Sequence, residues 1–117
     1  MSFSSVEALT SQLASAPDEI VFSDVISLVD DNYIFTPSAF SNGTVNNETN
    51  QNNGSCKLLA LGQLLGLTQA QTLALFGSYY REDVLKHPEG TDHANIRNFM
   101  VSGFDGLQFD TFPLAEK

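Results

Sequence analysis

Three residues in the second half of the chain have the types that hydrolytic chemistry uses. Cys56 stands near the expected start of one helix, His93 near the expected start of another, and Asn95 two positions further on. At a helix start, orphan N–H groups and the dipole lower a thiol's pKa. A histidine can take the thiol's proton, and an Asn or Asp can orient the imidazole, so the set is the inventory of a cysteine hydrolase. The competing reading makes Cys56 a small buried residue and His93 a satisfied hydrogen-bonding one. Leu58 and Leu59 stand beside Cys56 in an apolar helix, and desolvation there should outweigh a dipole worth at most about 2 kcal/mol. The thiol is therefore expected to be structural, and the protein non-catalytic.

A second polar set surrounds these residues: Tyr79, Tyr80, Arg81, Asp92, His93, Asn95 and Arg97. One reading is an internal ion-pair network in which Arg97 or Arg81 fixes Asp92 or another acid. The other is a binding pocket built on Tyr80, Arg81, Asp92, His93 and Arg97, in which arginine's fork recognises an anion. His87, Asp92 and His93 supply only three metal ligands, so no metal site is assigned. No cofactor motif is present and none is expected.

The elements that must position these groups follow from apolar spacing. Ser4 with Glu7 has the capping-box pattern, and Val6, Leu9 and Leu13 follow at helical intervals until Pro17. Phe22, Val25, Ile26 and Val29 make a second helix, with Ser23 as its expected cap and Asp30-Asp31 at its end. Tyr33–Thr36 has strand chemistry interrupted by Pro37, and Asn42-Gly43 is a strong hairpin signal. Residues 46–54 (NNETNQNNG) hold five asparagines and no apolar side chain, which reads as a mobile surface loop. A calcium loop does not fit, because Thr49 and Ala60 fall where carboxylates are needed.

Ser55 is the expected cap of a central helix carrying Leu58, Leu59, Leu61, Leu64 and Leu65, ended by Gly66 in the left-handed position. Thr68 with Gln71 is a second capping box, and Leu73, Phe76 and Tyr80 continue the pattern to about Lys86. So short a turn predicts that the two helices pack as an antiparallel pair. Gly77 inside the second costs about 1 kcal/mol against Ala, which points to a close neighbouring backbone or ring. Asp92 should cap a last helix with Ile96, Phe99 and Met100 inward, and Leu107–Phe109 should pair with the Tyr33 strand. The fold class is α+β: a compact, mainly helical single domain over 1–117, with about five helices and a small antiparallel sheet.

Composition limits the partners. A chain of 117 residues with 42% hydrophobic residues can bury a core without disulfides, and its single cysteine suits a reducing compartment. No secretory signal and no membrane span is visible, so the protein is expected to be soluble when made. The net charge is −9, with residues 1–56 carrying seven acids and no Lys or Arg. That charge is repelled by phosphate backbones and anionic lipids, which leaves a protein partner rather than nucleic acid or membrane.

The segments NNGSCK (52–57), TLALFGSYYREDVL (72–85) and HPEGTDHANIRNFM (87–100) resemble the HopJ family, and YIFTPSAFSNG (33–43) is similar too. Family members tend to carry Trp near position 104, where this chain has Phe104. The resemblance implies an effector-like protein of a plant-pathogen type III secretion system, found in the bacterial cytoplasm or exported into host cells. The serine-rich start (Ser2, Ser4, Ser5, Ser11, Ser15) resembles an export signal, although Glu7 breaks the usual lack of early acids. It implies a non-catalytic binding role through a host or bacterial protein, with a monomer as the expected state. The family implies no catalytic residue, and the alternative is a small hydrolase or transferase using Cys56 and His93.

Overall fold

The helices come from the apolar spacings above, and most of their ends are set by backbone conformation rather than by side-chain caps. The computed structural model describes residues 3–117. Helix α1 spans Val6–Ser15, with Ser5 rather than Ser4 as its cap; the Ala8 amide donates to Ser5 Oγ. Ser5 wins because its own backbone is extended at the helix entry, as a capping residue requires. Helix α2 spans Phe22–Asn32 and starts one residue before the expected cap Ser23, behind an extended Val21.

Helix α3 (Asn53–Leu65) begins two residues before Ser55. Its cap is Asn52, in a left-handed conformation and making no side-chain cap bond. Gly66 closes α3 in the left-handed region as expected, and the Thr68–Gln71 capping box is fully formed at the start of α4 (Gln69–Ala74). The two helices touch at Gly62, where any Cβ would overlap the Thr72 side chain.

The expected continuous helix to Lys86 does not form. It breaks at Gly77 (φ +60°), and the chain resumes as a π-helical turn over Tyr79–Val84. A Cβ on Gly77 would lie 2.9 Å from the Phe22 amide nitrogen and 3.0 Å from the Ile20 carbonyl oxygen. The close neighbour inferred from the sequence is thus the backbone entering α2, and the helix yields to it. Helix α5 spans Ala94–Ser102 and is capped by His93 in a left-handed conformation (φ 51°), not by Asp92. Ile96 and Phe99 are buried, whereas Met100 is exposed, a correction to its expected inward face.

The described residues form five short strands, all antiparallel where they pair: β1 (Tyr33–Phe35), β2 (Phe40–Asn42), β3 (Val45–Asn47), β4 (Leu107–Phe109) and β5 (Leu114–Glu116). The Asn42-Gly43 hairpin joins β2 to β3, with Phe40 opposite Asn47. The expected pairing of Leu107–Phe109 with the Tyr33 strand is wrong. Strand β4 pairs with β2, Phe40 facing Phe109, and β1 pairs with β5 near the end of the chain. Pro37 separates β1 from β2, and this break lets the two lie in different sheets. The core gathers α3 (Leu58, Leu59 and Leu61, each 0% exposed) against Val25 and Val29 of α2 and Phe76.

The asparagine-rich segment is shorter as a loop than its composition suggests. Asn47 belongs to β3 and is buried, and Asn53 already opens α3. Only Glu48–Asn52 is left between them. Amide exchange is expected to be fast across residues 48–51 and slow at Asn47, because only the former lack ladder bonds and buried contacts. Uniform fast exchange through Asn47 would contradict the strand pairing.

Candidate functional site

Four segments far apart in sequence meet at a cleft of about 350 Å³. Phe22 at the start of α2 and Phe76 and Tyr79 around the Gly77 break form one wall. The other wall is the first turns of α3 and α5, with Gly54 and Ser55 from one and Ala94, Asn95 and Ile96 from the other. Asn52 and His93, the two left-handed caps, stand at the ends of that wall. Since neither helix has a side-chain cap bond, its first-turn N–H groups lack a side-chain acceptor. No carboxylate lines the cleft.

The aromatic wall is a continuous row. Phe22 stacks on Phe76 with centroids 6.4 Å apart and meets Tyr79 edge-on at 5.0 Å. Tyr79 in turn lies 5.2 Å from the His93 ring. His93 Nε2 is 3.0 Å from Asp83 Oδ2 and 3.9 Å from Asp92 Oδ2, so the carboxylates of the preceding turn hold the imidazole from outside the cleft. Gly54 lies against the Phe22 ring edge, where a Cβ would come within 3.1 Å.

Asparagines tie the two helix starts together. Asn95 Nδ2 donates to Asn47 Oδ1, and Asn47 Nδ2 donates back to Asn95 Oδ1. Asn52 Nδ2 donates to the same Asn47 oxygen at 2.7 Å, and Asn42 Nδ2 donates to the Asn95 carbonyl and side-chain oxygens. Asn42, Asn47 and Asn95 are all buried, so this network fixes the α3 start, the hairpin and the α5 start as one unit. Among the described residues, Asn42 Oδ1 is the buried side-chain atom left without a partner.

The pattern of the family described as HopJ type III effector protein matches residues 6–114. The chain belongs to the HopJ family. It is also similar to a crystal structure titled as that of an unknown function protein, VPA0580. The two share 50% sequence identity and a TM-score of 0.95, over 100% of this chain and 97% of that one. No curated protein matches at a significant level.

The cleft of this HopJ protein uses part of the residue set read from sequence. His93 and Asn95 line it, whereas Cys56 does not; the Cys56 side chain is 1% exposed. Burial pushes the thiol pKa up to about 11, against a smaller opposing effect of a hydrogen bond with the Ser38 backbone. Cys56 is not at the orphaned end of α3 either, because its amide already donates to the Asn52 carbonyl. The structure thus brings His93 and Asn95 together and leaves the thiol in the core.

Both arginines serve internal contacts. Arg81 Nη1 donates to the Ile20 carbonyl at 2.9 Å, fixing the π-helical turn to the entrance of α2. Arg97 donates to the carbonyls of His87 and Asp92 at 2.8 and 2.6 Å and to Asp92 Oδ1 at 2.7 Å, which clamps the 83–92 turn. Tyr80 is half-buried against the core. Asp92 thereby orders the turn from outside the cleft, and of the five expected binding residues only His93 lines it.

The Arg97 hydrogen bond, the largest influence, holds the Asp92 carboxyl below its ordinary value of 3.8. A depressed carboxyl pKa contributes stability that is present above the unfolded value and lost as pH falls through the folded one. The Arg97–Asp92 contribution should therefore be intact at neutral pH and vanish only below about 4. Arg97→Ala should lower stability by about 1–2 kcal/mol at pH 7 through loss of the carbonyl contacts, with Arg97→Lys recovering only part. Denaturant melts of the two variants at pH 7 and pH 3 check both statements.

The residues missed by sequence reasoning are Phe22, Asn52, Ser55 as a lining residue, Ala94 and Asn47. For Asn47 and Asn52 the visible signal is the asparagine density of 46–54, which marks a network joint as well as a loop.

Proposed function

We propose that this HopJ-family chain is a non-catalytic binding protein, effector-like in use, and that the cleft between the α3 and α5 starts is its recognition site. The observation that carries the reading is the composition of the two walls. One is an aromatic row ending in His93, and the other is a run of first-turn amides that no side chain caps. Such a cleft accepts a group with a flat or apolar face and hydrogen-bond acceptors along one edge. A protein partner would supply it as an aromatic or amide-bearing side chain, with the asparagine network keeping the wall of helix starts fixed before binding.

The cysteine-hydrolase alternative lacks support, because the thiol is buried, its pKa is raised and it does not line the cleft. Ala94 offers a test, since it lines the cleft and is exposed at the first position of α5. Ala94→Trp should fill the cleft without touching the core. Capture from bacterial and host extracts should yield species bound by the wild type and lost with Ala94→Trp. Identical capture by both would reject the cleft as the recognition site. A secretion assay on the full chain tests export through a type III system.

A further inference from the structure

A second hollow, of about 310 Å³, shares Phe22 and Tyr79 with the cleft but is otherwise built from different residues. Val21 and Ser23 come from the entrance of α2, and Ser78 and Arg81 follow the Gly77 break. No carboxylate lines it. Lys57, Lys86 and Arg97 hold Asp30, Glu82 and Asp92 at 2.8, 2.7 and 2.7 Å, whereas Arg81 holds no carboxylate among the described residues. The Ile20 carbonyl takes one guanidinium N–H at 2.9 Å, and the remaining guanidinium donors meet no acceptor among the described residues. Ser23 and Ser78 are exposed, and neither hydroxyl is bonded to another described residue.

The chain has 14 acidic residues against 5 Lys and Arg, so its cations have carboxylates in excess. The Ile20 bond instead holds the Arg81 guanidinium at this hollow beside two hydroxyls, a set of donors suited to an oxyanion. Charge selects which one. A phosphate monoester would bring about −1.5 to −2 to a single cation, in a chain of net charge −9. A carboxylate brings one charge and matches arginine's fork. Its carbon stem can rest on Val21 and the Tyr79 ring, which are 47% and 41% exposed. A neutral amide would leave the guanidinium without a counter-charge.

We propose that Arg81, with the Ser23 and Ser78 hydroxyls, forms a carboxylate-binding site beside the cleft. The carboxylate belongs to a small organic acid or to an acidic residue of a protein partner. Acetate titrated into the full chain at constant ionic strength should shift the Arg81 Nε–H and Ser78 amide resonances saturably, and acetamide should not. Ser78→Asp supplies an internal carboxylate and should weaken acetate binding by about tenfold or more, equivalent to about 1.4 kcal/mol. Ser11→Asp adds the same charge at an exposed position of α1 and should leave binding unchanged. Both variants replace exposed side chains, and matching thermal melts would confirm that they fold. A blocked peptide with one central Glu separates the two sources. Affinity at least about tenfold above that of acetate assigns the carboxylate to a protein, and equal affinity assigns it to a small acid; either supports the site.

The proposal is overturned by the absence of a saturable shift at Arg81, by equal shifts with acetamide, or by equal losses in Ser78→Asp and Ser11→Asp. Inorganic phosphate binding more tightly than acetate would overturn the choice of carboxylate. Ala94→Trp reads the cleft and Ser78→Asp reads this hollow, so either site can fail alone.

Discussion

Phe76→Ala is expected to destabilise the protein by about 3–5 kcal/mol and Leu61→Ala by about 2–5 kcal/mol. Phe76 is 2% exposed and Leu61 is fully buried, so neither truncation can be refilled by solvent. The larger cost falls on Phe76 because its ring has two tasks. It closes the core beside α3 and supports Phe22, whose ring stacks on it at the cleft wall. Phe76→Leu should cost less, keeping apolar contact while losing the stacked pair. Chemical denaturation measures all three, and losses below about 1 kcal/mol for both alanine variants would mean that the core is misassigned. The cleft should feel Phe76→Ala as well, so any ligand captured through the cleft should bind this variant more weakly than Leu61→Ala.

The sequence made these core positions legible because burial is written in side-chain type. Leu58, Leu59 and Leu61 leave α3 no polar choice on those faces, and Gly66 and the Thr68–Gln71 pair mark the turn between α3 and α4 by local chemistry alone. Gly77 was legible in the same way: a glycine amid helix formers points to a close approach, and the Ile20–Phe22 backbone is there. The same glycine also sets the π-helical turn, which side-chain periodicity does not encode.

Strand partners were less legible. Leu107–Phe109 and Tyr33–Phe35 have matching chemistry, but three-residue strands carry too little pattern to choose a mate. Pro37 lies in the break between β1 and β2, and the two strands belong to different sheets.

The cleft was the least legible feature, for a physical reason. Its walls depend on Asn52 and His93 adopting left-handed backbone conformations, which asparagine tolerates and histidine adopts less often. The ordinary capping signals, Ser55 and Asp92, stood three residues after and one residue before the true caps, and they drew the expected helix starts to themselves. Asn47 and Asn52 read as loop polarity and Asn95 as a partner for His93, yet Asn47 and Asn95 are buried, and Asn47 bonds to both Asn95 and Asn52. A buried amide network has no sequence period, so only the fold reveals it.

Native Cys56 is expected to react with iodoacetamide at neutral pH at least on the order of a hundredfold more slowly than free cysteine. With its pKa pushed up from 9.0 to about 11, the reactive thiolate at pH 7 is scarcer than in an ordinary thiol. Burial then adds a steric barrier, because the residue is 1% exposed. The sign of the linkage follows from the same shift. A thiol whose folded pKa is raised contributes stability that is complete below its ordinary value of 9.0, and that contribution is lost as pH rises toward about 11. Alkylation should therefore accelerate in denaturant at constant pH, and alkaline titration should destabilise the wild type more than Cys56→Ala. His93→Ala should leave the labelling rate of the native protein unchanged, since His93 is held by Asp83 and Tyr79 rather than by the thiol. Rapid labelling lost on His93→Ala would instead make Cys56 a nucleophile and the protein an enzyme.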